Sequence, residues 1–197
     1  MKKVKAFAVA LAILLIGCAG PARHAKHRSD PDGFGGIRWG TEISALGDME
    51  KAEQDKSENS DLAWYIRKND VLAIGKAKLE SIFYSFWMGN FEGIWIDFKG
   101  DENFETLKKE LFERFGKARE AGGGMEKMGK GARREPLPTE HAGAFYAWWG
   151  EKTDIFLSYS QDRHKGTLTM NSRKVREERR DYEKEKEKEK RIKERGF

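Results

Sequence analysis

Apolar and polar side chains alternate through residues 79–87 and 91–99. Ile82, Tyr84 and Phe86 share one side of the first segment, and Ile94, Ile96 and Phe98 share one side of the second. A period of two is that of a strand with one buried face, and the Gly89-Asn90 step between the segments is a hairpin signal. Leu62–Arg67 and residues 144–149, 154–160 and 166–172 read the same way, giving six predicted strands. The period changes to that of a helix after Asp101, where Phe104, Leu107, Leu111 and Phe115 form one stripe and Gly116 supplies a stop. This helix is expected to lie across the aliphatic face of the hairpin. A shorter helix is expected over residues 42–50, capped by Thr41.

The order helix, three strands, helix, three strands predicts an α+β domain. Its sheet is mostly antiparallel, with about six strands and one or two packed helices. Residues 83–87 (FYSFW) and 145–149 (FYAWW) share three of five positions at an offset of 62, which suggests a duplicated αβββ unit. Residues 117–142 have no period and read as a long glycine-rich loop. From Arg173 to Phe197 the chain becomes almost wholly charged, with strict sign alternation from Glu183 to Lys190. On a helix that alternation puts opposite charges at i,i+3 and like charges at i,i+4, so the pairwise terms nearly cancel. The expected outcome is a helix that continues from Lys174, frays outward and stays solvated.

Residues 1–17 read as an address rather than as structure. Lys2, Lys3 and Lys5 precede an unbroken apolar run of 11 residues, from Ala6 to Ile16, too short for the roughly 20 residues that span a bilayer. The run ends in Leu15-Ile16-Gly17-Cys18, which resembles the lipobox of bacterial lipoproteins. That resemblance implies cleavage before Cys18, transfer of a diacylglyceryl group to its thiol, and acylation of the new amine. Acyl chains contribute about 0.8 kcal/mol per buried CH₂, so two or three give stable anchoring. In enterobacterial lipoproteins an Asp after the cysteine favours the inner membrane; residue 19 is Ala, so the resemblance points to the outer membrane, facing the periplasm. Residues 18–33, with Pro21 and Pro31 and no large apolar side chain, read as a tether. The domain is then expected over 34–172. It opens at Phe34-Gly35-Gly36-Ile37-Arg38-Trp39-Gly40-Thr41, a phrase that resembles the F-x-G-I-x-W-G-T start of a set of uncharacterised small exported bacterial proteins.

The formal charge of +5 divides unevenly. The signal has three lysines, and the tail from residue 173 has 12 basic and 8 acidic side chains. Residues 18–172 have 23 basic and 25 acidic side chains, so the domain is nearly neutral and lacks the electrostatic footprint of a nucleic-acid binder. The single cysteine excludes a disulfide framework and cysteine-rich metal sites.

Motifs for chemistry are few. Gly124 to Gly131 matches a phosphate-binding loop except at its last position, where Gly131 replaces the Ser or Thr that holds Mg²⁺. It also follows a helix rather than a strand, and reads as plain loop. His24 and His27 lie in the tether and read as polar filler, and His141 and His164 have no motif around them. No cofactor or metal is expected. Asp97, on a strand beside Trp95, is the carboxylate most suggestive of a perturbed site, although such an Asp ordinarily marks the wet face of a sheet.

Aromatic content carries the remaining signal. Trp87, Trp95, Trp148 and Trp149 fall in predicted strands, where exposed rings would stack on sugars, peptidoglycan or an apolar patch of a protein; the competing reading is that large rings fill a small core. The leading expectation is a lipid-anchored, non-enzymatic envelope module that binds a protein or cell-wall partner. The alternatives are a periplasmic hydrolase with a cleft around Asp97 or His141, and an assembly factor whose charged tail makes the contact.

Overall fold

The alternating segments become one large sheet in a computed structural model of the chain, which describes residues 30–53, 61–120 and 143–194. In chain order the elements are β1 (Gly33–Phe34), β2 (Ile37–Arg38), a 3₁₀ turn (Ile43–Ala45), β3 (Met49–Lys51), β4 (Leu62–Arg67), β5 (Ala73–Ile74), β6 (Ala77–Lys78), β7 (Ser81–Trp87) and β8 (Asn90–Lys99). Then come α1 (Asp101–Phe115), β9 (Arg119–Glu120), β10 (Gly143–Trp149), β11 (Thr153–Ser160), β12 (Lys165–Ser172) and α2 (Arg173–Glu194). Eight strands form an antiparallel sheet in the order β3-β4-β7-β8-β12-β11-β10-β9, while β1–β2 and β5–β6 are two-residue ribbons. The fold is therefore α+β with a charged C-terminal helix. Its six long strands are those that the alternation indicates, and β3 and β9 add short pairings at the two edges.

The sheet reads alike from either end. The meander β4-β7-β8 is followed by α1, and the meander β10-β11-β12 by α2, with β8 and β12 paired at the centre. Each meander is thus followed, not preceded, by a helix, and α1 and α2 pack on opposite faces, so the two halves do not form a duplicated αβββ unit. Residues 83–87 lie on the middle strand of one meander and residues 145–149 on the outer strand of the other, so the 62-residue offset does not join equivalent strands. The helix expected over 42–50 shrinks to the turn Ile43–Ala45. Gly40 and Ile43 donate their N–H groups to Phe91 and Gly89, and Met49–Lys51 pairs with β4, so most of this backbone is committed to the sheet.

One face of the sheet carries the core. Ile82 faces Ile96, which faces Leu168, which faces Leu157; the next row runs Tyr84, Ile94, Met170, Ile155. Helix α1 covers these rows with Phe104, Leu107 and Leu111, all buried. Phe104 stacks on Tyr159 at 4.4 Å, and Phe112 meets Tyr146 and Trp148 edge-on, so the helix also covers the C-terminal meander. The opening phrase closes the core from the side: Ile37 is buried and the Trp39 ring lies 4.8 Å from Phe91. Positive φ at Gly35 and Gly36, +58° and +82°, makes the tight β1–β2 turn possible. Asp30 accepts the backbone N–H groups of Lys152 and Thr153, so ordered contacts begin before Phe34.

Helix α2 packs at one end of the opposite face. Val175 is buried, Arg176 and Arg179 approach Glu92, Tyr182 meets Trp87 edge-on at 5.8 Å, and Lys186 reaches Asp61. Beyond that point every described residue of the helix is exposed. The first half of the charged segment is thus part of the fold, and the described residues from 187 to 194 are solvated.

Candidate binding face

Strand pleating sends every second side chain away from the core, and on this sheet those positions are rich in rings. Phe83, Trp95, Thr169 and Phe156 lie in register across β7, β8, β12 and β11. The next row is Ser81, Asp97, Thr167, Ser158 and Phe145. On the other side, towards α2, Trp64, Ser85, Gly93, Asn171, Asp154 and Trp149 form a third row. Phe83, Trp95, Phe145, Trp149, Phe156 and Trp64 are all half-buried. Five strand spacings separate Trp64 from Trp149, so the face is about 24 Å wide.

Several rings are held in place. The Trp95 indole N–H donates to Oδ1 of Asp97 at 2.8 Å, and Ser81 Oγ donates to Oδ2 at 2.9 Å. Both carboxylate oxygens of Asp97 are therefore occupied by neighbours on the same face. Phe145 stacks with Phe156 at 6.1 Å, Trp149 meets Phe156 edge-on at 6.3 Å, and Ser158 and Thr167 share a hydrogen bond of 2.6 Å.

The four tryptophans singled out from sequence separate into two groups. Trp95 and Trp149 lie on this face. Trp87 is buried beneath Tyr182, and Trp148 is buried on the α1 side with its N–H donated to the Gly116 carbonyl at 2.9 Å. Phe83, Phe145, Phe156 and Trp64 join the face without having been singled out. Their signal was present, since they occupy the off-core phase of each alternation. It was masked because strands apolar on both sides resemble strands buried on both sides.

At the β10 edge a cleft of about 280 Å³ is lined by residues including Asp30, Lys117, Arg119, Trp148, Trp149 and Ile155. The Arg119 guanidinium lies over the Trp149 ring, 5.0 Å from its centre. A separate polar cluster stands at the start of α1. Asp101 accepts hydrogen bonds from the Tyr159 hydroxyl and, at 3.1 Å, pairs with His164 Nδ1. These partners hold the Asp101 carboxyl below its usual range, while burial and then Asp101 push the Tyr159 hydroxyl up to about 12. His164 thus engages Asp101, not Asp97. Among the described residues no group of three or more His, Cys, Asp or Glu is placed to hold a metal ion, and no helix is long and apolar enough to cross a membrane. Cys18, His24, His27, the segment Gly124 to Gly131 and His141 lie outside the described residues.

No protein-family model matches the chain, and no curated protein or solved structure matches it.

Proposed function

We propose that this is a lipid-anchored cell-envelope protein whose domain binds, rather than transforms, its partner through the aromatic face of the sheet. The observation that carries the reading is the register-aligned row Phe83, Trp95 and Phe156, half-buried on the side that α1 does not cover. Rigid rings give large contact area at small conformational cost. The hydroxyls of Ser81, Ser158 and Thr167 beside them supply hydrogen-bonding groups for a polar partner. Cys18, through its lipobox resemblance, supplies the anchor and points to the outer membrane. The partner classes that suit such a face are an envelope protein and the peptidoglycan glycan.

The test has two arms. Cys18→Ser should abolish incorporation of labelled palmitate and release the protein from the membrane fraction; unchanged membrane association contradicts the anchor. Phe83→Ala with Trp95→Ala should lower retention on isolated peptidoglycan, or recovery of an in-cell crosslinked envelope protein, at least tenfold while cooperative unfolding persists. Unchanged retention and recovery contradict the face.

A further inference from the structure

We infer that the cleft at the β10 edge is a pocket for a sugar ring carrying a carboxylate, an inference that rests on the binding-face reading above. Its volume of about 280 Å³ is at the small end for ligand pockets and suits a ring or two rather than a polymer segment. Trp149 supplies a flat aromatic wall, and the buried Trp148 and Ile155 close the apolar side. Two cations, Lys117 and Arg119, line the same space, and among the described residues neither has a carboxylate partner. Arg119 is instead laid against the Trp149 ring, which orients a planar fork of donors suited to bidentate capture of a carboxylate. Asp30 lines the cleft too, with its two oxygens turned to the Lys152 and Thr153 N–H groups, so the cleft keeps a net charge of one cation.

The limits of the positive region narrow the ligand. Away from the cleft the face offers hydroxyls and rings, and Asp97 there is already satisfied by Ser81 and Trp95. A polyanion would meet no further cations along those rows. A ligand with one carboxylate and otherwise uncharged, hydroxylated rings matches both regions, its acid group at Lys117 and Arg119 and its ring beside the Arg119–Trp149 stack.

The full chain in a sugar-free detergent, titrated with N-acetylmuramic acid and separately with N-acetylglucosamine, tests this. The readout is the Trp149 indole N–H resonance, assigned through Trp149→Phe. The acid sugar should bind at least tenfold tighter than the neutral one, and added salt should weaken it. Lys117→Gln with Arg119→Gln should erase the preference, with unchanged thermal unfolding confirming an intact fold. Equal binding of the two sugars, binding of neither, or a preference that survives the double variant overturns the pocket. If the pocket fails while Phe83→Ala with Trp95→Ala still abolishes partner retention, the face reading stands alone. If retention ignores Phe83 and Trp95, the face reading itself falls.

Discussion

The carboxylate of Glu92, in β8, lies 3.2 Å from Nη1 of Arg179 and 4.0 Å from Nε of Arg176, both on α2. Glu92 is only 3% exposed, so this cluster fastens the C-terminal helix to the centre of the sheet. Removing one member of a fully buried ion pair costs about 3–5 kcal/mol. The two arginine side chains are 19% and 31% exposed, so water recovers part of that. Glu92→Ala is expected to destabilise the domain by about 2–3 kcal/mol, read from denaturant midpoints.

Glu92 also sets a pH dependence. Burial raises its pKa above the ordinary 4.5, and the two arginines pull it partly back. The folded chain therefore keeps this proton to higher pH than the unfolded chain. Its contribution is full below 4.5 and declines as pH rises through the window above that value. Asp48, held low by Arg67, and Asp101, held low by Tyr159 and His164, act in the opposite sense. Their contributions are present above 3.8 and are lost as pH falls through their folded values. Thermal midpoints measured from acid to neutral pH should fall on both sides, and Glu92→Gln should flatten the upper side alone. An unchanged upper side in Glu92→Gln contradicts the assignment.

Gly166 faces Phe98 on one side and Tyr159 on the other, and those two rings stack nearly parallel, 7° apart, with centres 6.1 Å apart. A Cβ at residue 166 would collide with the Phe98 ring and the Ser158 carbonyl. Overpacking of this kind costs about 1–3 kcal/mol. Gly166→Ala should lower the urea midpoint accordingly, whereas a neutral substitution would show that the rings do not close over this glycine.

Helix α2 predicts two different truncations. Ending the chain after Lys186 removes only exposed side chains among the described residues, and stability should change by less than about 0.5 kcal/mol. Ending it after Ser172 also removes Val175, Arg176, Arg179 and Tyr182, which pack on Glu92 and Trp87, and should abolish cooperative unfolding. A partner lost on the longer deletion alone therefore reports damage to the domain, not a contact made by the tail.

Much of this architecture is legible in the sequence because local pattern and tertiary role coincide. The stripe Phe104, Leu107, Leu111 specifies α1 and its end at Phe115, although Asp101 is its first residue and Gly100 stands at the N-cap. The alternation of Ile94, Ile96, Phe98 specifies the core side of β8. Failures occur where non-local pairing decides. Residues 42–50 have helical composition, but Glu42 bridges Asn90, the Ile43 N–H goes to Gly89, and Met49 and Glu50 pair with β4. The packing of α2 depends on Glu92, a single acidic residue at the bulge of the β7–β8 pair, and no periodicity announces it. The face was half legible. Composition marks Trp87, Trp95, Trp148 and Trp149 alike; what separates Trp95 and Trp149 from the other two is non-local, Tyr182 covering Trp87 and Phe112 covering Trp148.

The proposed binding role of the aromatic face is tested most directly by photo-crosslinking in intact cells, with a benzoylphenylalanine placed at residue 83 on that face or at residue 109, exposed on α1. A discrete adduct to one envelope protein or to the cell wall is expected from position 83, lost on Trp95→Ala, and none from position 109. Equal adducts from both positions, or an adduct from position 109 alone, would contradict that role.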